Sequence, residues 1–444
     1  LGLFTGRVPF VWLSNAFNNT GMEQKGTTIN QVKDGQGNIL QYAPSLGQYA
    51  KDPMGAMNSM SGSSAKPDIV TVDKDFKYPQ VFRTNLALEQ ILPGDVKFTL
   101  EGIYSKTLHN VFFENLALTN TGDKVYAIPG VEASAAPFYS FAKSDYYSII
   151  NLKNTNKGYT YAISGLLEKH FNFGLDLSGS YTFGHAKSVN DGTSSVAYSN
   201  WKYNYSIDTN SDGELGFSKF DIPHRIMLQA SYTTPRYLNG WMATTISVIY
   251  NAFSGSRYSL TMNEGKNDYN GDGWNGNNLL YIPTESELQK MNFVDFVDDG
   301  EVIMTAEESR QAFGEWIEND SYAKNHRGQY AERNSNLSDW EHQIDLHIAQ
   351  DIFYLKERGS KIQVTFDVVN FANMLNKKWG ASYSSAYNVS PLSVQSIATE
   401  ADGSRTPAYT YNSNNEVAKD DIASRWHAQV GVRSVSYTHL RAHE

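Results

Sequence analysis

Asp268, Asn270 and Asp272 alternate with other residues and are followed directly by Gly273. Oxygen-bearing side chains at positions 1, 3 and 5, with glycine at position 6, are typical of the first half of an EF-hand calcium loop. Position 12 of this stretch is Leu279, where a complete EF-hand has a bidentate glutamate. The spacing therefore predicts an incomplete loop in which Asp268, Asn270 and Asp272 are candidate ligands of a structural Ca²⁺.

A second stretch repeats the pattern with Asp208, Asn210, Asp212 and Gly213, and it has Lys219 at position 12. It is a further, weaker candidate for calcium. The alternative for both stretches is a set of Asx turns in a solvated loop, where Asp and Asn side chains bond to nearby backbone amides.

Completing the first loop requires ligands from elsewhere in the chain. Asp298, Asp299 or backbone carbonyl groups could supply them, because calcium accepts six to eight oxygen ligands. The sequence leaves calcium binding and the Asx-turn alternative open.

The composition excludes several classes of function. The 444 residues include no cysteine, which removes disulfides, thiolate zinc sites and cysteine nucleophiles. The net charge of -10 argues against nucleic acid as a partner, because phosphate binding requires clustered Lys and Arg. Hydrolase, phosphate-loop and zinc signatures are absent from the sequence, so we expect no enzymatic activity and no required cofactor.

Strict two-residue alternation of apolar and polar residues is the dominant pattern along the chain. Leu175 and Leu177, for example, alternate with Asp176 and Ser178. This period predicts strands with one apolar and one polar face. Nine such strands are predicted, at 82–89, 96–101, 159–168, 173–183, 225–232, 241–251, 343–352, 361–368 and 426–433.

The connections between these strands alternate between short and long. Short turns are predicted at 93–95, 170–174, 235–240 and 355–360, and long polar connections at 108–157, 187–222, 253–340 and 372–424. Tight turns on one rim and long loops on the other are typical of an outer-membrane barrel. Strands of about ten residues also match the length that crosses a bilayer. The fold class predicted is all-β, a transmembrane antiparallel β-barrel fragment with long extracellular loops.

The polar face predicted for these strands suits the water-filled lumen of a barrel, and the apolar face suits the surrounding lipid. Charged residues on the polar face serve either substrate contact or, as the ordinary alternative, solvation of the wall. Aromatic residues near strand ends suit interfacial girdles, with ordinary sheet packing as the alternative. The charged residues are Arg83, Lys97, Glu101, Asp345 and Asp367, and the aromatic residues are Tyr159, Phe183, Trp241, Tyr250, Trp340 and Trp426.

One helix is predicted, at 304–320. Thr305 can cap it, and Glu308 completes a capping box. Ala312, Phe313 and Trp316 form an apolar stripe that can pack on the long loop. A role in holding substrate is the functional alternative to simple loop folding.

Five ordered motifs extend over nearly the whole chain. They are "GLFTGRVPFVWLSN", "DIPHRIMLQASY", "DYNGDGWNGNNLLYIP", "RGQYAERNSNLSDWEHQIDLHIAQDI" and "FDVVNFANMLNKKWG". With them the chain resembles the C-terminal part of a TonB-dependent outer-membrane receptor of the Oar-like type, and more distantly the SusC-like transporters. The family pattern has Asp where this chain has Asn278 and Pro where it has Asp339.

The resemblance implies the last nine strands of a barrel of about 22 strands. It also implies a plug and a TonB-contacting segment ahead of residue 1, with ligand uptake driven by TonB. Residues 1–433 would then be a partial barrel without plug and N-terminal domains, in the outer membrane of a Gram-negative bacterium. The implied partners are outer-membrane lipid, the TonB complex and a candidate surface lipoprotein, whereas the ligand could be a glycan, a peptide or a chelate.

Two other functions stay open, and both ends of the sequence look truncated. The alternatives are a surface adhesion barrel without active transport and a secreted all-β binder of calcium and glycans.

The last eleven residues, 434–444, lose the strand pattern and resemble translated sequencing adapter, so His439 and His443 are expected to have no function. Nine strands alone would leave unpaired edges near 78 and 433, so we expect this polypeptide not to fold stably by itself.

Overall fold

The computed structural model describes residues 1–18, 32–33, 39–41, 51–52, 66–142, 145–263, 265, 267–355, 360–383, 388–414 and 417–435. Strands predominate in these ranges, as the alternating pattern predicts. No helix within them has both the length and the apolar character needed to cross a membrane.

The strands, in chain order, are β1 (Gly2–Thr5), β2 (Val32–Lys33), β3 (Ile39–Gln41), β4 (Asp68–Val72), β5 (Gln80–Leu92), β6 (Val96–Asn115), β7 (Leu118–Tyr126), β8 (Ala135–Phe141), β9 (Ser148–Thr155), β10 (Tyr159–His170), β11 (Leu175–Ser188), β12 (Gly216–Phe217), β13 (His224–Thr233), β14 (Ala243–Phe253), β15 (Arg257–Asn263), β16 (Tyr281–Ile282), β17 (Phe296–Asp298), β18 (Glu301–Met304), β19 (Gln329–Tyr330), β20 (Asn336–Leu337), β21 (Glu341–Leu355), β22 (Ser360–Val369), β23 (Ser382–Tyr383), β24 (Asn388–Thr399), β25 (Arg405–Tyr411), β26 (Lys419–Asp420) and β27 (His427–Val435). The α-helices are Phe10–Asn18, Ala197–Lys202, Glu285–Leu288, Ala306–Asn319 and Phe371–Leu375, and the 3-10 turns are Glu132–Ser134 and Ala323–Asn325.

The long strands form one sheet, the main sheet, in which they pair antiparallel and neighbours in sequence are neighbours in space. Its order is β1-β5-β6-β10-β11-β13-β14-β21-β22-β27. All nine predicted strands are present in this order. Four further strands of this sheet within the described residues were not predicted: β1 in the order itself, and β4, β9 and β12 beside it. With only four residues, β1 is too short for a periodic signal and is set by pairing Gly2–Thr5 against β5.

One face of this sheet is apolar and exposed. Leu86 is 81% exposed, Val430 70% and Leu228 48%, although all three are large aliphatic side chains. Continuous apolar surface of this kind marks a face that contacts something other than water.

Charged side chains on the opposite face pair with one another across strands. Lys97 Nζ lies 3.3 Å from a carboxylate oxygen of Glu89 and 3.9 Å from one of Glu168. His347 and Asp367 also pair across β21 and β22. The charged side chains on this face of the sheet therefore form ion pairs with each other across neighbouring strands.

The other charges predicted on this face have similar surroundings. Arg83 donates to Ser105 Oγ at 3.0 Å, and Asp345 Oδ1 accepts from the Asn370 amide at 2.7 Å. Glu101 lies half-buried on β6. The contacts are consistent with wall solvation, the ordinary alternative.

Aromatic side chains lie near those ends of the strands that lead into the long connections. His224 stacks with Tyr181 at 6.1 Å between ring centroids and with Trp340 at 5.9 Å. His342 stacks with Trp340 at 6.2 Å and with Tyr250 at 6.1 Å. This continuous row contains two of the predicted girdle residues, Tyr250 and Trp340.

The described parts of the long connections are folded. We call residues 116–158, 189–223, 254–340 and 370–426 the cap. Strands from three of these connections form a six-stranded sheet of order β20-β15-β24-β25-β7-β8. Its core includes Leu260, Phe313 and Tyr409, each 0% exposed. The expectation of solvated polar loops is therefore incomplete, because apolar residues too sparse within one connection bury each other when three connections meet.

The predicted helix is confirmed as Ala306–Asn319, one or two residues shorter at each end. The Glu308 amide donates to Thr305 Oγ1, and the Glu308 carboxylate accepts from the Thr305 amide at 2.8 Å, which forms the predicted capping box. Phe313 is fully buried and stacks on Trp316. Among the described residues, four further short helices were not predicted, because segments of four to nine residues carry little periodic signal.

The short turns lie where the sequence places them, within the described residues. Gly174 has a φ of +97°, and a Cβ at this position would lie 2.2 Å from the Thr233 carbonyl oxygen. Residues 356–359 of the last predicted turn lie outside the described residues. Ser434 and Val435 continue β27 against Ile362 and Lys361, whereas the remainder of the predicted foreign tail, 436–444, lies outside the described residues.

Candidate functional site

The first calcium-like loop is held by Asx-type hydrogen bonds. The Gly273 amide donates to Asp268 Oδ2 at 2.7 Å, and the Trp274 amide donates to Asp272 Oδ1 at 2.8 Å. The Asp272 amide donates to Asn270 Oδ1 at 3.3 Å. These bonds belong to the Asx-turn alternative, which also favours the sharp turn of a calcium loop.

The centre of the loop is buried, so the fully solvated loop expected from its polar composition is wrong. Asn270 and Asp272 are both 0% exposed. A Cβ on Gly271, whose φ is +73°, would lie 2.1 Å from the Tyr139 carbonyl oxygen. Polar residues are buried here because the loop packs against β8, which the sequence does not reveal.

Burial changes the acidity of the two carboxyl groups in the loop. Burial, together with the nearby Asp268 charge, raises the pKa of Asp272 from 3.8 to about 7. Burial also raises the pKa of Asp268, and its Oδ1 atom is buried without a hydrogen-bond partner. A divalent cation would relieve this electrostatic cost.

The ligand set within the described residues is small. They contain no group of three or more His, Cys, Asp or Glu side chains arranged to hold a metal ion. Asp298 and Asp299, the residues proposed to complete the loop, belong to an exposed hairpin and do not form such a group with Asp268 and Asp272. Calcium at this loop would depend on two carboxylates, the Asn270 side chain and backbone carbonyls, and it stays a prediction.

The second calcium-like loop uses its oxygens within the protein. Asn210 Oδ1 accepts from the Asn115 amide at 2.9 Å and from Trp201 Nε1 at 3.1 Å. Asp212 lies 3.5 Å from Lys157 Nζ. Asp208 Oδ1 accepts from the Asn210 amide at 3.2 Å. Side chains with these partners have few oxygen lone pairs left for an ion.

Tyr139 joins the two loops. Its amide donates to the Asn270 carbonyl oxygen at 2.7 Å, and its hydroxyl donates to Asp208 Oδ1. Burial, together with the Asp208 hydrogen bond, raises the pKa of Tyr139 well above its usual value. The repeated D-x-N-x-D-G pattern thus provides two supports for one strand, β8. Neither spacing nor period links Tyr139 to the loops in the sequence.

Glu214 is a half-buried acid with a raised pKa that the sequence analysis missed. Its carboxylate accepts from the amides of Ile207, at 2.9 and 3.0 Å, and Asp208, at 2.6 Å. Burial raises its pKa from 4.5 to about 7. It directly follows Gly213 of the second loop, and only the tertiary contacts show that its carboxylate is withdrawn from water.

A buried ion pair joins two connections of the cap, and its carboxylate is also bonded to β11 of the main sheet. Asp221 Oδ2 accepts from Arg257 Nε at 2.7 Å, and Asp221 Oδ1 accepts from the Ala186 amide at 2.7 Å. Arg257 also donates to the carbonyl oxygens of Asn334 and Ser335, each at 3.1 Å. Asp221 and Arg257 are each 4% exposed.

A polar cavity of 430 Å³ lies beside this ion pair, between the connections 189–223 and 254–340. Arg333, Lys219 and Asp191 line it together with hydroxyl and amide side chains. Arg333 is 5% exposed. Volumes of about 300–1,000 Å³ are usual for small-molecule sites. No sequence motif pointed to this cavity, because its walls come from segments more than a hundred residues apart.

The calcium prediction can be tested by thermal unfolding. At pH 7.5, we expect added CaCl₂ to raise the unfolding temperature of the cap by several degrees, since a ligand that binds only the folded state stabilises it. Asp272→Asn should remove the shift. Asp212→Asn, in the second loop, is the matched control and should retain it. An equal response of wild type and Asp272→Asn would contradict calcium binding at this loop.

The family that matches the sequence agrees with this architecture. The outer membrane beta barrel domain family matches residues 1–399, which is most of the chain. The chain belongs to this family. As an outer-membrane barrel protein it is located in the outer membrane, and the exposed apolar face of the main sheet is the one suited to lipid.

Other comparisons are more distant. No curated protein matches the sequence significantly. Among solved structures, the barrel protein is similar to the outer membrane transporter YddB from Escherichia coli, with a TM-score of 0.36 and 12% identity. The match covers 84% of this chain and 35% of the YddB chain, so the chain spans about a third of that transporter's length.

Proposed function

We propose that this outer-membrane barrel chain is part of a TonB-dependent receptor of the Oar-like type that takes up a ligand across the outer membrane. The observation that carries the proposal is the asymmetry between the two ends of the main sheet. At one end, strands are joined by tight turns such as Pro93–Asp95, whereas at the other end the connections fold into the cap. Barrels with long, folded loops on the outer side use those loops to bind ligands.

In this proposal the cap faces the cell exterior and the short turns face the periplasm. The cap receives the ligand, and the sheet supplies wall for the path across the membrane. The five ordered motifs of the Oar-like receptors support the assignment. By that resemblance, a plug domain blocks the path until TonB, energised from the inner membrane, pulls on it.

The proposal assigns no catalytic residue to this chain and no nucleic-acid partner. Its other partners are outer-membrane lipid and a candidate surface lipoprotein that would cover the cap. The uptake ligand is a glycan, a peptide or a chelate.

The interaction with TonB is the decisive test. The protein expressed from the complete gene should bind the purified periplasmic domain of TonB in a pull-down from detergent. Deleting the TonB-contacting segment, expected ahead of this chain, should abolish binding. Deleting an equally long stretch elsewhere in the periplasmic region is the matched control and should preserve it.

The outcomes separate transport from adhesion. TonB binding that depends on the segment would support active uptake. A complete gene that encodes neither plug nor TonB-contacting segment would contradict the proposal and favour an adhesion barrel. Recovery of the protein without detergent would contradict both and favour the secreted binder.

A further inference from the structure

Arg333 is a buried cation without a direct ionic partner among the described residues. The residue is 5% exposed, and its side-chain hydrogen bond among the described residues is made by Nη2, which donates to the Ser188 carbonyl oxygen. A guanidinium has five N–H donors, so most of its capacity is unused within this part of the chain. Buried charges are normally paired, because an unpaired charge in a low-dielectric interior is costly.

The nearest carboxylate in the cavity wall is already occupied. Asp191 Oδ1 accepts from Ser188 Oγ at 2.7 Å, and Asp191 Oδ2 accepts from the Lys219 amide at 2.9 Å. Asp191 therefore influences Arg333 through space without forming an ion pair with it.

Two other acids near Arg333 are engaged as well. Glu332 pairs with Lys187, and the Glu214 carboxylate accepts from the backbone amides of Ile207 and Asp208. Their charges favour the guanidinium at longer range. None of the three acids provides the bidentate contact for which Arg is suited.

The rest of the cavity wall offers further hydrogen-bonding groups. Within the described residues, the lining side chains of Thr193, Ser199 and Asn204 make no intramolecular hydrogen bond. Tyr203 also lines the cavity and is 56% exposed, so part of its side chain is accessible to a ligand. Other lining groups are fixed: Asn200 accepts from the Ser194 amide and donates to the Ser194 carbonyl oxygen.

We infer that this cavity is a binding site for a small polar ligand that carries a carboxylate, with Arg333 as the anchor for the carboxylate. Thr193, Ser199 and Asn204 supply hydrogen bonds to its hydroxyl or amide groups. Two cationic side chains and one carboxylate line the cavity, so its charge favours an anion. An acidic sugar and a peptide C-terminus share this chemistry.

The inference rests on the proposed function in one respect, since the occupant would be the ligand that the receptor imports. Binding itself is measured on purified protein and does not require TonB. If binding is found without TonB interaction, the proposed transport fails and the site stands. If TonB interaction is found without binding, the site fails alone.

The experiment is calorimetric titration of the protein expressed from its complete gene. The probes are digalacturonate and its uncharged dimethyl ester, and acetylated tri-alanine and its C-terminal amide. We expect one of the two acids to bind, and its uncharged counterpart to bind at least tenfold more weakly. Arg333→Gln should weaken binding of that acid about thirtyfold or more, as expected for a buried charge-assisted contact.

Arg327→Gln is the matched control. Arg327 belongs to the same connection, donates to the Pro283 carbonyl oxygen at 2.9 Å and does not line the cavity, so its loss should leave affinity unchanged. Asn204→Ala removes a lining group without an internal hydrogen bond and should weaken binding severalfold, even if Arg333→Gln fails to fold. Any of three results would overturn the inference. They are that neither acid binds, that charged and uncharged probes bind equally, or that Asn204→Ala keeps full affinity.

Discussion

Replacing Asp221 with alanine is expected to lower the free energy of unfolding of the cap by about 3–5 kcal/mol, because it leaves Arg257 as a buried charge without its partner. Asp221 also accepts from the Ala186 amide at 2.7 Å, so β11 loses a contact in the same change. The cap should open where 254–340 meets 189–223, beside β11. Amide hydrogen exchange of cap peptides, measured on the protein from its complete gene in detergent, reports this opening.

Asp212→Ala is the matched control for Asp221→Ala. Asp212 also pairs with a cation in the cap, at 3.5 Å from Lys157, but its side chain is 45% exposed. Exposed pairs contribute about 0–1 kcal/mol, so little change is expected. The double variant Asp221→Ala with Arg257→Met should recover part of the loss, since no charge is then left buried. Equal protection in Asp221→Ala and wild type would show that the pair does not hold the cap.

Stability of the cap is expected to fall as pH rises from 5.5 to 8. The pKa values of Asp272 and Glu214 are raised to about 7 in the folded state. The folded protein therefore binds these protons more tightly than the unfolded chain, where the groups titrate near pH 4. Protonation stabilises the fold below pH 7, and this contribution is lost as pH rises through 7. Between pH 5.5 and 8, this difference in proton binding lowers the free energy of unfolding by about 2 kcal/mol for each group.

Thermal unfolding followed by tryptophan fluorescence at pH 5.5 and 8 measures this change. Asp272→Asn and Glu214→Gln should each flatten the pH dependence, because neither amide titrates. Asp402→Asn is the matched control: hydrogen bonds from Ser404 lower the pKa of this exposed cap carboxyl, so it does not titrate in the window. If Asp272→Asn and Glu214→Gln both keep the pH dependence of wild type, these two groups do not control it.

The long strands were predictable because their signal is local. In a strand with one apolar and one polar face, apolar and polar residues alternate. The run Leu175, Asp176, Leu177 and Ser178 therefore already specifies which face of the sheet each side chain lies on. The helix Ala306–Asn319 was predictable for the same reason, since Thr305 and Glu308 lie three residues apart and cap it locally.

The cap and its sites could not be predicted in the same way. Tyr139 meets Asp208 and Asn270 across sequence separations of 69 and 131 residues, and no local pattern encodes those contacts. Arg333 is one of many charged residues in polar loops, and only its burial beside a cavity separates it from the others.

By itself, the sequence determined the all-β class, the order of the nine long strands and the alternation of short and long connections. It also identified the two D-x-N-x-D-G stretches, because residue spacing is visible in one dimension. Only the tertiary structure decided that both stretches support β8, that Asn270 and Asp272 are buried, and that the pKa values of Asp272 and Glu214 are raised to about 7. The physical reason is desolvation: the energy of a charge depends on the atoms packed around it, and in the cap those atoms come from distant parts of the chain.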